Sequence, residues 1–175
     1  ETSASMWMVG AMARLSVLAA RPDFLGCARS HLAVVDQPDS PSSSYQAQRL
    51  CALMDLHNAS GDDLLKDAIV SAVERVLECQ SQNSEYSGYF AANPGGDPSL
   101  NITSSGDVAA SLALFALEFP SESELVKNAL GRYMSFIIAL SDNPFGITKS
   151  LNGDGEESWF FAYKQHGDWH VGQNS

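Results

Sequence analysis

Apolar and polar positions along this chain alternate between two kinds of helical pattern. Residues 5 to 20 are apolar nearly all round, carrying Met6, Trp7, Met8, Val9, Met12, Leu15, Val17 and Leu18. Residues 107 to 119 have the same character, with Val108, Leu112, Leu114, Phe115, Leu117 and Phe119 ahead of Pro120. A helix without a polar face is expected to be buried on all sides. Between these two lie amphipathic segments. Leu64, Leu65, Ala68, Ile69, Ala72, Val73, Val76 and Leu77 form one stripe at helical spacing, and Leu125, Val126, Ala129, Leu130, Tyr133, Ile137 and Leu140 form another. Ser60-x-x-Asp63 and Ser121-x-x-Glu124 read as capping-box starts for them. Two weaker helices, at about 23–35 and 43–57, complete the order buried, outer, buried, outer, buried, outer.

The fold class this predicts is all-α, a single domain over residues 1–175 with hairpins at about 5–35, 43–79 and 107–141. Turns from a buried helix to the next outer one are short, at Pro22, at Asn58 to Gly61 and at Pro120. The return connections are long, at 80–106 and 141–175, and so form loops along one rim, where functional residues commonly collect. The spacing between hairpins is unequal, which excludes a regular solenoid repeat.

Ten basic against twenty-one acidic residues give a net charge of -11. Such a surface repels phosphate backbones and anionic lipid, so neither nucleic acid nor membrane is an expected partner. Arg14 interrupts the apolar N-terminal run, which is too short for a bilayer span. The sequons Asn58-Ala59-Ser60 and Asn101-Ile102-Thr103 mark Asn58 and Asn101 as glycosylation candidates and favour a secreted protein. Cys27, Cys51 and Cys79 have no metal-ligand spacing and are expected as buried thiols within or beside apolar helices; Cys51 and Cys79 are available to pair.

Residues 143 to 175 hold two of the three Trp and two of the four His, mixed with carboxylates and turn residues. Trp159, Tyr163 and Trp169 offer flat faces of the kind that stack on sugar rings, or else they pack a long loop onto the rim. His166 and His170 flank Asp168, but Gly167 argues for a loop rather than a metal-holding helix, and no metal or cofactor is expected. The run from Asn152 to Glu157 lacks calcium-loop spacing and reads as a solvated tip. Asp154, Glu156, Glu157 and Asp168 are the rim acids available, with Asp168, Glu157 and Asp154 the candidates for catalysis, though no spacing selects a pair. In the 80–106 loop, Tyr89, Phe90 and Asp97 either line the same groove or pack the loop with its own aromatics. Asp107 reads as an early-turn acid favoured by the helix dipole. Arg14, alone on an apolar helix, needs a partner or a cavity and is either an ion-pair member or a ligand contact.

Inner apolar helices ringed by amphipathic ones, with long loops on one rim, resemble an (α/α)6 toroid, of which this chain would supply about three of the six hairpins. The Asn143-Pro144-Phe145-Gly146 turn and the Trp169-His170-Val171-Gly172-Gln173-Asn174-Ser175 segment resemble the late region of six-hairpin glycosidases, glycoside hydrolase family 9 and its relatives in particular. The resemblance implies part of a larger carbohydrate-active enzyme, most naturally a hydrolase of oligo- or polysaccharide. His170 would contact a sugar hydroxyl, and the remainder of the toroid would be the chain's partner. That family's water-activating Asp would lie before residue 1 and its general acid Glu after residue 175. Two other functions stay open: a polysaccharide lyase on the same architecture, with His166, His170 or Tyr163 as base, and a non-catalytic helical scaffold that binds protein.

Overall fold

A computed structural model of the chain describes residues 2–82, 87–96 and 102–140, together with short stretches at 150–151, 157–158, 162–165 and 168–171. Six helices form its body: α1 (Thr2–Leu18), α2 (Pro22–Val35), α3 (Ser43–Ser60), α4 (Lys66–Glu78), α5 (Ile102–Glu118) and α6 (Glu124–Leu140). The all-helical character of this body and its number of helices are as expected. The later stretches pair as two antiparallel ladders, β1 (Ser150–Leu151) with β2 (Glu157–Ser158) and β3 (Ala162–Gln165) with β4 (Asp168–Val171). The C-terminal segment, expected as loop, therefore contains short strands.

Local chemistry sets the helix ends, at positions somewhat displaced from those expected. Pro22 opens α2 at its first turn, where its missing N–H costs nothing. Ser42 caps α3 by accepting from the Tyr45 N–H, and Gly61 ends it at φ 66°, its own N–H donating to the His57 carbonyl. Ser60 is not a cap: its hydroxyl donates back to the Leu56 carbonyl, and Asp62 instead accepts from Leu64 N–H at a 3-10 turn ahead of α4. Similarly, a 3-10 turn at Pro120–Glu122 stands where the Ser121 box was expected, and α6 starts at Glu124. Helix α5 begins at Ile102, which places Asp107 in the second turn rather than the first and weakens its dipole interaction.

The weakest-looking helix of the sequence is the most buried one. Helix α3 packs against α1, α2, α4 and α5. Leu50, Leu53 and Leu56 are fully enclosed, each contributing about 1.5–3 kcal/mol. One core cluster joins Leu50, Leu53 and Met54 to Ile69 and Val76 of α4, Leu112 and Phe115 of α5, and Val126 and Tyr133 of α6. A second joins Leu56 and Tyr45 to Met6, Val9 and Ala13 of α1.

By contrast, α1 is not buried all round. Met6, Val9, Ala13 and Ser16 face the core, while Trp7, Met8, Leu15, Val17 and Leu18 are exposed, Leu18 at 82%. On α5, Val108, Leu112 and Phe115 are buried and Leu114 and Leu117 are not. The reason is positional. Both helices flank α3, so each has one packed side, and no described element covers the other.

Buried polar side chains tie the connections down. Arg49, 3% exposed, forms a two-pronged ion pair with Asp36 just past α2 and donates to the Ala68 carbonyl of α4. Gln80 donates to the carbonyls of Gly88 and Ala129 and accepts from Arg132, fastening the 80–96 segment to α6. Gly88 is required there. Its φ is 96°, and a Cβ would stand 2.3 Å from the Arg132 carbonyl oxygen.

Truncating Arg49 to Ala leaves Asp36 without its partner and removes the only tether from α3 to the Ala68 carbonyl seen among the described residues. A loss of about 3 kcal/mol in a urea titration is expected. Arg21→Ala breaks an ion pair in which both side chains are more than half exposed, and should leave the urea midpoint unchanged within error.

Candidate functional site

Three helices define a groove in the described helical body. Trp7 of α1, Ser44 of α3 and Asp107 of α5 meet near one end, while Arg14, Asp55, Asn58 and Glu118 meet near the other. N-terminal parts thus gather with N-terminal parts, and α1, α3 and α5 run side by side in the same direction. Along α3, Ser44, Gln48, Cys51 and Asp55 are partly buried and Asn58 is exposed, all spaced by three or four residues on one helical stripe.

Two clefts open along this stripe. The first, of about 180 Å³, is lined by Trp7, Ser44, Ala47, Gln48, Cys51, Asp107, Ala110, Ser111 and Leu114. The second, of about 340 Å³, is lined by Ala13, Arg14, Val17, Leu18, Asp55, Asn58 and Ala59.

Polar contacts fix the second cleft. Arg14 Nε donates to Asp55 Oδ1 at 2.8 Å, and Asn58 Nδ2 donates to Glu118 Oε2 at 3.1 Å, so α1, α3 and α5 are cross-linked at this end. Arg14 thereby has the partner its sequence position demanded, and it also stands at a cleft. Gly10 makes the close approach possible, since a Cβ there would lie 2.8 Å from Asp55 Oδ2. Burial raises the Asp55 carboxyl above its ordinary range, with the Arg14 guanidinium pulling the other way, while the contact with Asp55 raises Arg14 further. Asn58 lies in the last turn of α3 rather than in a turn, exposed but with its amide engaged by Glu118. Asn101 lies outside the described residues.

The rim residues distribute differently from expectation. Tyr89 is 1% exposed, its ring 5.6 Å from that of Phe136, and Phe90 is equally enclosed against Tyr133 at 5.5 Å. Neither lines a groove. A short bridge between Gln80 and Phe90 turns both rings inward onto α6, and burial pushes the Tyr89 phenol up. In the C-terminal ribbon, Tyr163 stands opposite His170, Lys164 opposite Trp169 and Gln165 opposite Asp168. The register brings Tyr163, Asp168, Trp169 and His170 onto one two-stranded ribbon. Glu157 lies on β2, opposite Leu151. Asp97, Asp154, Trp159 and His166 lie outside the described residues. Among the described residues no three His, Cys, Asp or Glu side chains gather as a metal would require.

The thiols divide in two. Cys51 and Cys79 are unpaired, and burial pushes both up to about 11; Cys27 is exposed on α2, against the expectation of burial, because α2 turns only its Ala28 face fully inward. Both raised thiols favour the neutral form in the folded state, so their contribution to stability persists below the ordinary thiol range and is lost only as pH rises through about 11.

Sequence reasoning did not select Asp55, Glu118 or the cleft beside Trp7. The usable signal was the polar series Ser44, Gln48, Asp55, Asn58 on one face of an otherwise buried helix. The chain matches no protein-family model, and no curated protein matches it.

Alkylation with iodoacetamide at pH 8 should therefore modify Cys27 first. Cys51 and Cys79 should lag by about 100-fold from their reduced thiolate fraction alone, and peptide-resolved mass spectrometry would read the order.

Proposed function

We propose that this chain is the helical portion of a secreted carbohydrate-active enzyme built as an (α/α)6 toroid, a glycoside hydrolase acting on an oligo- or polysaccharide. The observation that carries this reading is the layer of α1, α3 and α5, running the same way, each joined to its outer helix by a short turn, with apolar side chains uncovered on both flanks. Met8 and Leu15 on one flank and Leu117 on the other, none of which lines the groove, suit the packing of a further hairpin at each edge. No described helix is long and apolar enough to cross a membrane.

In this reading the ribbon carrying Tyr163, Asp168, Trp169 and His170 supplies sugar contacts at the rim, with Trp159 and His166 near it in sequence. A stacked indole binds the C–H face of a pyranose and an imidazole hydrogen-bonds its hydroxyls. Asp154, Glu157 and Asp168 are the rim acids available to hydrolysis, and the principal carboxylates belong to the remainder of the toroid.

The test is reducing-end release from a panel of polysaccharides by the full-length protein. Turnover without an ultraviolet-absorbing product supports a hydrolase; an unsaturated absorbing product indicates the lyase instead. Neither turnover nor sugar binding leaves a protein-binding helical scaffold. For the hydrolase, Trp169→Ala and His170→Ala should each lower kcat/KM by about tenfold, the loss of one stacking or hydrogen-bonding contact.

A further inference from the structure

We infer that the cleft between α1, α3 and α5 is a subsite for a neutral pyranose, with Trp7 as its stacking face. The inference rests on the carbohydrate reading above but concerns residues which that reading does not use. Trp7 is 56% exposed although it sits in a strongly apolar helix. Its indole borders a cleft of about 180 Å³. An aromatic face beside a hollow that mixes apolar side chains with a few hydroxyl, amide and carboxylate groups is a surface on which sugar C–H groups stack favourably while the sugar hydroxyls find partners.

The remaining lining is suited to hydroxyl groups. Ser44 and Gln48 come from α3, and Asp107 and Ser111 from α5. The Ser111 hydroxyl already donates to the Val108 carbonyl at 2.7 Å, which leaves its oxygen to accept. Ala47 and Ala110 make the notch, since larger side chains at either position would fill it. All these positions stand on helices of the rigid layer, so the site is formed before ligand arrives.

Charge narrows the ligand class. The lining holds one carboxylate, Asp107, and no cation. A uronate or sugar phosphate would meet a like charge with nothing to neutralise it, in a chain already carrying -11. The ligand is a neutral sugar ring, a chemistry that favours hydrolase over lyase at this groove.

Cysteine chemistry offers a readout that needs no variant. Cys51 lines the cleft and Cys27 lies on the exposed face of α2. Cellohexaose, maltohexaose and chitohexaose would be titrated calorimetrically into the full-length protein, with hexagalacturonate as the anionic comparison. Any neutral hexasaccharide that binds should slow Cys51 alkylation at least fivefold while leaving Cys27 unchanged. Trp7→Ala and Gln48→Ala should each weaken that binding by about tenfold, and Trp7→Phe by less. Unchanged Cys51 reactivity and unchanged affinity in both Ala variants would overturn the subsite while leaving the enzyme reading intact. Preference for hexagalacturonate would overturn the neutral-sugar assignment. If the wild-type protein binds none of these sugars, the carbohydrate reading fails and the subsite with it.

Discussion

Enclosure of α3 on four sides is the constraint from which the rest of the helical body follows. A helix packed against α1, α2, α4 and α5 must be apolar where each neighbour meets it, and its buried charges need partners. Leu50, Leu53, Met54 and Leu56 meet the first demand. Arg49 meets the second by pairing with Asp36 and the Ala68 carbonyl, and Gln46 contributes by donating to the carbonyls of Pro38 and Ser40. These polar contacts also fix the connections on either side of α3, so one helix sets the positions of two hairpins. Transfer of the Arg49 guanidinium out of water is tolerable only because all of its contacts form together.

The same constraint creates the groove. With α1 and α5 occupying the two sides of α3 within the layer, only the Ser44–Gln48–Cys51–Asp55–Asn58 stripe stays accessible between them. Close approach at Gly10 lets Arg14 of α1 pair with Asp55 and narrows the middle of the groove. Two clefts of different chemistry result. One end carries both ion-pairing partners, Arg14 and Asp55; the other carries an indole, amide and hydroxyl groups and a single acid. Charge and stacking chemistry are thus separated along one helix face by its own periodicity.

The 80–96 segment shows a different balance. Tyr89 and Phe90 are, with Phe115, the largest fully enclosed side chains among the described residues, although they belong to a Gly- and Pro-rich connection. Gln80 anchors that connection to α6 by three polar contacts, and Gly88 supplies the one backbone conformation that lets it lie against Arg132. Apolar burial of two rings then outweighs the chain-ordering cost of holding an irregular loop. Residues that looked like ligand contacts by composition became core by position.

Helical periodicity in the sequence determined the six helices, their pairing into three hairpins and the short turns between them, because the spacing of Leu64 to Leu77 or Leu125 to Leu140 is a local property that needs no knowledge of neighbours. The candidate chemistry of the C-terminal segment was legible as residue type, and the strand register that sets Tyr163 opposite His170 was not. Which apolar helix is central was also hidden: α1 and α5 have the stronger apolar signal, yet α3 is the enclosed one. Burial depends on how many neighbours a helix acquires, and Arg49 and Asp55 lowered the apolar signal of α3 while finding their partners, Asp36, the Ala68 carbonyl and Arg14, on other elements. For the same reason Trp7 read as core and Tyr89 was left between groove and packed loop, and only tertiary packing, which counts neighbours rather than residue types, exposes the one and buries the other.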